Sequence, residues 1–133
     1  MNNKIQELTD IIYNEGVVKG QAEAEKVLAD AKAQAEQILA EAKKYLGTRY
    51  VYGGASPSGF DCSGYVYYVL KQFGYSPYRT PADQYKMGTA VSKANLQAGD
   101  IVFFANTYTS GLSHVGIYVG DGQFIHASSN GGV

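Results

Sequence analysis

The pattern of apolar and polar positions divides the chain into two stretches with different periods. In the first, Leu28, Ala31, Ala35, Ile38, Ala42 and Tyr45 follow one another by three, four, three, four and three residues. That is the heptad seam of a helix that wants a partner. The surrounding stretch is rich in alanine, glutamate and lysine, lacks proline and carries glycine only at Gly16 and Gly20, so residues 1–43 are expected to form a helical extension. Alanine buries little area per layer. At about 25 cal/mol per Å², association through so short a segment is weak by itself. The seam can pack on its own domain, self-associate as a coiled coil or join a larger helical assembly; an exposed helix held by alanine propensity needs none of these.

From Lys44 onward glycine, tyrosine, valine and turn dipeptides replace alanine and charge. Gly53-Gly54, Ser56-Pro57 and Ser58-Gly59 predict a loop. A helix follows over residues 62–73, because Cys62, Val66, Val69, Leu70 and Phe73 fall on one apolar face, and Gly74 is its natural stop. Asp61 stands at the N-cap. Beyond Ser76 to Pro81, a short helix is expected at residues 82–87. Gln97-Ala98-Gly99-Asp100 reads as a turn, and residues 101–105, 114–119 and 123–127 read as strands. The fold class is α+β, with the Cys62 helix packed on a small antiparallel sheet.

The last two strands meet around Gly120-Asp121-Gly122. A three-residue loop sets Val119 against Gln123, Tyr118 against Phe124, Ile117 against Ile125 and Gly116 against His126. His114 and His126 then share a face as a diagonal pair, about 7 to 8 Å apart at the backbone. A two-residue Asp121-Gly122 turn would put His126 opposite Ile117, on the other face. The three-residue loop is preferred because it also gathers Val115, Ile117, Val119, Ile125 and Ala127 on the apolar side.

With 133 residues the chain has room for one compact domain and an extension. Its 11 basic and 12 acidic residues occur through the chain, giving a net charge of -1 and no basic stripe for nucleic acid. No run of about 18 apolar residues is present to enter a membrane, and the opening Met1 to Glu7 is too polar for a signal peptide. The twelve tyrosines suit a groove for a polar oligomer, and equally an amphipathic core and rim.

Cys62 is the only cysteine, so it has no internal disulfide partner. A free cysteine is commonly a buried core residue. Here it opens a helix, where the dipole and unpaired amides favour thiolate, and both histidines of the chain, His114 and His126, lie downstream. The assignment is Cys62 as nucleophile, His114 as its base and His126 orienting that base through the other ring nitrogen, with the Cys62 amide as oxyanion donor. Asp61 opposes thiolate formation beside it, so it is given a second task, holding a substrate cation, next to plain capping. Zinc would need a fourth ligand such as Asp61 or Asp121, and the spacings match no zinc pattern; neither metal nor cofactor is implied.

Several stretches in one order are similar to a known family: Tyr50-Val51-Tyr52-Gly53-Gly54, Phe60-Asp61-Cys62-Ser63-Gly64-Tyr65-Val66, Arg79-Thr80 with Asp83-Gln84, Ala98 to Phe104, Ser113 to Gly120, and Phe124-Ile125-His126-Ala127. From Ala42 to Gly132 the chain resembles the NlpC-type cell-wall cysteine peptidases. The resemblance implies a papain-like core over residues 44–133 and hydrolysis of peptidoglycan stem peptides after γ-D-glutamyl, at the bond to a diamino acid. It implies catalytic Cys62, His114 and His126, and substrate contacts from Tyr50, near the oxyanion, and from Asp61 and Ser63, which in some relatives hold the free amino terminus of the stem peptide. Arg79 and Gln84 match without a derived role and are read as braces of the groove. Relatives generally continue with further strand beyond the seven residues that follow His126, so the domain is expected to lack its C-terminal end. Action in the cell wall without a signal peptide suggests delivery by a phage or other assembly, or a fragment. Amidase or transferase chemistry through the same thiol, and a wall-binding or assembly module without turnover, are the alternatives.

Overall fold

The computed structural model describes residues 4–133; Met1, Asn2 and Asn3, at the head of the expected extension, lie outside the described residues. The chain divides into two units, Met1–Gln34 and Ala35–Val133. Helix α1 runs over Lys4–Lys43. In the first unit Ile5, Leu8, Ile12 and Leu28 are all exposed. In the second unit the last turns of α1 bury Ile38 and Ala42 in the core, with Leu39 and Tyr45 packed against it. The lower part of the heptad seam therefore covers itself on its own domain.

Helix α2, Cys62–Lys71, starts where expected. Asp61 has extended backbone and accepts the Gly64 amide on its side chain, the N-cap arrangement. Cys62, Tyr65, Val66 and Val69 are buried on the inward face. The helix ends two residues before the expected Phe73 because its last turn tightens: Gln72, Phe73 and Gly74 donate to Val69, Leu70 and Lys71, three residues back. Tyr65 donates a 2.6 Å hydrogen bond to the Ala42 carbonyl, tying α2 to the end of α1. Phe60 packs between Tyr45, Tyr65 and Tyr68 with ring centroids 5.5 to 5.6 Å apart.

The expected loop before Cys62 contains a small hairpin, β1 (Ala55–Ser56) with β2 (Gly59–Phe60). Strands of two residues carry no readable period. Helix α3 is Pro81–Gln84, shorter than the expected 82–87. It opens on proline, which fits the first helical position, under a Thr80 cap.

Strands β3 (Ile101–Ala105), β4 (Leu112–Gly120) and β5 (Gln123–Ile125) form an antiparallel sheet in the order β3-β4-β5. Val115 and Ile117 are fully buried in the same core as the inward face of α2, with Ile101, Phe103 and Ile125 packed against it. The β4–β5 connection corrects the expectation of a three-residue loop. Asp121 and Gly122 form a two-residue turn, both with positive φ (54° and 73°), as a type I′ turn requires. Pairing then runs from Gly120↔Gln123 to Tyr118↔Phe124 and Ile117↔Ile125, so Val119 is a bulge and does not face Gln123. The bulge inserts one residue and cancels the shift of the shorter turn. His126 thus returns to the side expected for it. Beyond β5, Val133 exchanges backbone bonds with Gly47 and Thr48, folding residues 128–133 back over the start of the domain. No helix among the described residues is long and apolar enough to cross a membrane.

Candidate active site

Cys62 lies at the first turn of α2, 4% exposed, its Sγ 3.9 Å from the Ser113 carbonyl oxygen. Burial pushes its thiol up from the ordinary value, the amides of Val115, Ser63 and Cys62 itself pull it down, and the Asp61 charge adds to the rise. Burial is the largest of these influences and favours the neutral thiol.

His114, on β4, and His126, just past the end of β5, meet on the outward face of the sheet. Nε2 of His114 is 2.6 Å from Nδ1 of His126, with the rings nearly perpendicular at 84°. Gly116 makes this approach feasible. A Cβ there would lie 2.8 Å from the Ile125 carbonyl oxygen and 3.2 Å from Cβ of His126. Burial lowers both imidazoles, and His126 lowers His114 further. Burial thus favours the neutral forms of the thiol and of both imidazoles.

One cavity of about 280 Å³ is lined by Tyr50, Cys62, Thr107, Tyr108, His114, Ala127, Ser128 and Ser129. Cys62, His114 and Tyr50, chosen from the sequence, share it; His126 stands behind His114. Thr107 and Tyr108 come from the β3–β4 loop, which Ser113 anchors by accepting the Thr107 amide at 2.9 Å. Hydroxyl residues in a loop carry no signal that distinguishes a cleft wall from ordinary surface, and these were not found.

Asp61 and Ser63 are not among the cavity's lining residues. Asp61 caps Gly64 at 2.6 Å, accepts the Gly53 amide at 3.0 Å and receives Arg79 through both oxygens at 2.9 Å. Arg79 also donates to Ser63 Oγ at 2.8 Å and to the Gly54 carbonyl at 3.3 Å. Gln84, 4% exposed, donates to the carbonyls of Ser63 and Tyr78. Arg79 and Gln84 thus have defined partners. The sequence held a signal for the first: between residues 44 and 99 the only carboxylates are Asp61 and Asp83. Among the described residues no group of three or more histidine, cysteine, aspartate or glutamate side chains gathers to hold a metal ion.

Residues 47–133 match the NlpC/P60 family. The chain belongs to it. Relatives of this NlpC/P60 chain include the gamma-DL-glutamyl hydrolase of Bacillus subtilis, 46% identical over 107 residues, covering 79% of this chain and 26% of that one. The probable endopeptidase p60 of Listeria monocytogenes is 51% identical over 89 residues, 67% of this chain and 18% of that one. The chain therefore spans about a quarter or less of these relatives' lengths. Among solved structures, the NlpC/p60 domain of peptidoglycan hydrolase SagA is 42% identical with a TM-score of 0.67, covering 74% of this chain and 84% of that one. The α+β architecture of α2 on the β3-β4-β5 sheet is that of the NlpC/P60 fold.

Proposed function

We propose that this chain is a peptidoglycan hydrolase that cleaves stem peptides at the bond between γ-D-glutamyl and a diamino acid, by a thiol mechanism using Cys62, His114 and His126. The observation that carries the reading is the contact between Nε2 of His114 and Nδ1 of His126 beside the cavity that Cys62 and His114 line. The relatives named for γ-glutamyl and peptidoglycan hydrolysis support the substrate class. Cell-wall action, outside the cytoplasm, goes with that substrate.

The contact and the role given to His114 together select the tautomers. For His114 to take a proton at Nδ1, its Nε2 must carry hydrogen and donate to Nδ1 of His126, whose own proton then sits on Nε2. Substrate binding aligns the scissile carbonyl with Sγ. The thiol proton passes to Nδ1 of His114 as sulfur bonds to the carbonyl carbon, and the Cys62 amide stabilises the oxyanion. The carbon–nitrogen bond breaks, and the leaving amine takes the proton from His114. Water then gives a proton to His114, attacks the thioester and releases the γ-glutamyl acid and the thiol. His126 is neutral and serves orientation more than charge stabilisation.

Tyr50 contacts substrate at the cavity wall. Asp61 and Ser63 are assigned to the free amino terminus of the stem peptide, yet five donors already engage the Asp61 carboxylate: the Gly53 and Gly64 amides, Ser63 Oγ and two Arg79 nitrogens. An incoming ammonium shares Asp61 with Arg79. The α1 extension, with exposed Ile5, Leu8 and Ile12, is assigned to self-association or a larger assembly. Light scattering with and without residues 1–34 tests this; monomers in both would remove it. Defined muropeptides with the Cys62→Ala variant as control test the activity, and turnover retained by that variant would defeat the assignment.

A further inference from the structure

Four rings meet on the outward face of the sheet. The Phe124 centroid lies 4.7 Å from that of His126, the Phe104 centroid 6.0 Å from that of His114, and the two phenyl rings are 4.9 Å apart. The histidine rings themselves are 4.9 Å apart, so the four close into one cluster. The backbone brings them together: Phe104 pairs directly with His114 across β3 and β4, and Phe124 sits one residue before His126's neighbour Ile125, opposite Tyr118.

Gly116 shows how tightly Phe124 is seated. Its Cδ2 lies 2.8 Å from where a Cβ at position 116 would be, a point 3.2 Å from Cβ of His126. The ring therefore lies over the glycine. Among the described residues His114 is the one side chain hydrogen-bonded to the His126 ring, and His126 stands past the end of β5, where the ladder no longer fixes its backbone. An aromatic wall is what remains to hold its plane.

We propose that Phe124, backed by Phe104, is a positioning residue that clamps the His126 imidazole so that its Nδ1 stays on Nε2 of His114. The clamp has two effects. It keeps His126 in the one rotamer that orients the base, and it excludes water from both imidazoles, favouring their neutral forms. The titratable neighbours of the pair are Cys62 from α2, Tyr50 and Tyr108 at the cavity wall, and Tyr118 further along the same face of β4. Burial raises Cys62, Tyr50 and Tyr108, favouring their neutral forms. The downward shifts of both histidines arise from burial, with His126 adding to that of His114, and the phenyl rings supply part of that burial.

The consequence for rate rests on the catalytic reading of His114 and His126; the consequence for titration does not. The test therefore has two arms on the full chain. In the first, proton NMR follows the two imidazoles through pH in the Cys62→Ala protein with and without Phe124→Leu. The leucine variant is expected to raise at least one histidine by about half a unit or more toward the ordinary value of about 6.5. In the second arm, on the Cys62 protein, Phe124→Leu should lower kcat about tenfold with KM within about twofold, and move the acid limb of the pH profile upward. Phe124→Tyr, which keeps the ring, should restore both.

Unchanged titrations together with kcat within twofold in a folded Phe124→Leu protein would overturn the clamp. If that variant does not fold, the nuclear Overhauser contact between the Phe124 ring and His126 in the Cys62→Ala protein decides, and its absence overturns the proposal. A protein that cleaves nothing but whose histidines respond to Phe124→Leu would refute the hydrolase reading and leave the clamp standing.

Discussion

Removing Arg79 should destabilise the domain by about 2 kcal/mol, between the measured ranges for exposed and buried ion pairs. The guanidinium makes two 2.9 Å bonds to the two oxygens of Asp61, one of 2.8 Å to Ser63 Oγ and one of 3.3 Å to the Gly54 carbonyl. An exposed pair would contribute at most about 1 kcal/mol. This one is partly withdrawn from water, with side-chain exposures of 36% for Arg79 and 14% for Asp61. Breaking a fully buried pair costs about 3 to 5 kcal/mol because the survivor is left uncompensated. Here the survivor keeps the Gly53 and Gly64 amides at the N-terminus of α2, which offsets part of the loss. About 2 kcal/mol is roughly thirtyfold in the unfolding equilibrium. The assay is urea unfolding of Arg79→Ala and Arg79→Lys in the Cys62→Ala background. Lysine cannot make the two-pronged contact, so it should recover less than half of the loss. A loss below about 0.5 kcal/mol for Arg79→Ala, in the range of an ordinary surface change, would refute the view that this bracket holds the start of α2 in place.

Stability should fall toward both acid and alkaline pH. His114 and His126 have lowered values when folded, so their contribution is complete above the unfolded value of about 6.5 and is lost as pH falls through the folded values. Cys62 has a raised value, so its contribution is complete below the unfolded value of about 8.5 and is lost as pH rises through the folded one. Urea midpoints between these limits should be highest, and His114→Gln with His126→Gln should flatten the acid side; an acid side unchanged by that pair would contradict the assignment. Iodoacetamide should alkylate Cys62 slowly at neutral pH, accelerating only above about pH 8.5; fast labelling at pH 6 would show a resting thiolate instead. Gly116→Ala places a Cβ 2.8 Å from the Ile125 carbonyl and from Phe124, and should cost about 1 to 3 kcal/mol by overpacking and displace His126, read as loss of turnover in a protein that still unfolds cooperatively. Full turnover in that variant would mean the histidine contact is dispensable.

What the sequence revealed depended on which residues carried a period or a motif. Cys62, Val66 and Val69 announced α2 because their spacing matches one helical face, and Ile101 to Ala105 announced β3 by an apolar run between turn signals. The hairpin that brings His114 to His126 was harder. Its outcome was legible from the apolar side, Val115, Ile117 and Ile125, but its device was not: a type I′ turn and a bulge at Val119 give the same facing as the longer loop, and a glycine-aspartate-glycine sequence serves either. The β1–β2 hairpin left no trace, since two residues cannot alternate. Around Cys62, Asp61 was readable as a cap, whereas its pairing with Arg79, eighteen residues on, depended on a tertiary approach that Gly64 permits. A Cβ at Gly64 would lie within bonding distance of the Gly54 carbonyl. For Cys62 the helix start was visible in sequence, whereas the burial that raises its thiol was not.

The measurement that bears most directly on the account is incubation of the purified chain, beside its Cys62→Ala variant, with defined muropeptides, followed by mass spectrometry of the products. Cleavage at the γ-D-glutamyl bond by the parent chain and none by the variant is the expected result. An intact substrate with a folded parent chain, or equal cleavage by both proteins, would contradict a thiol hydrolase built on Cys62, His114 and His126.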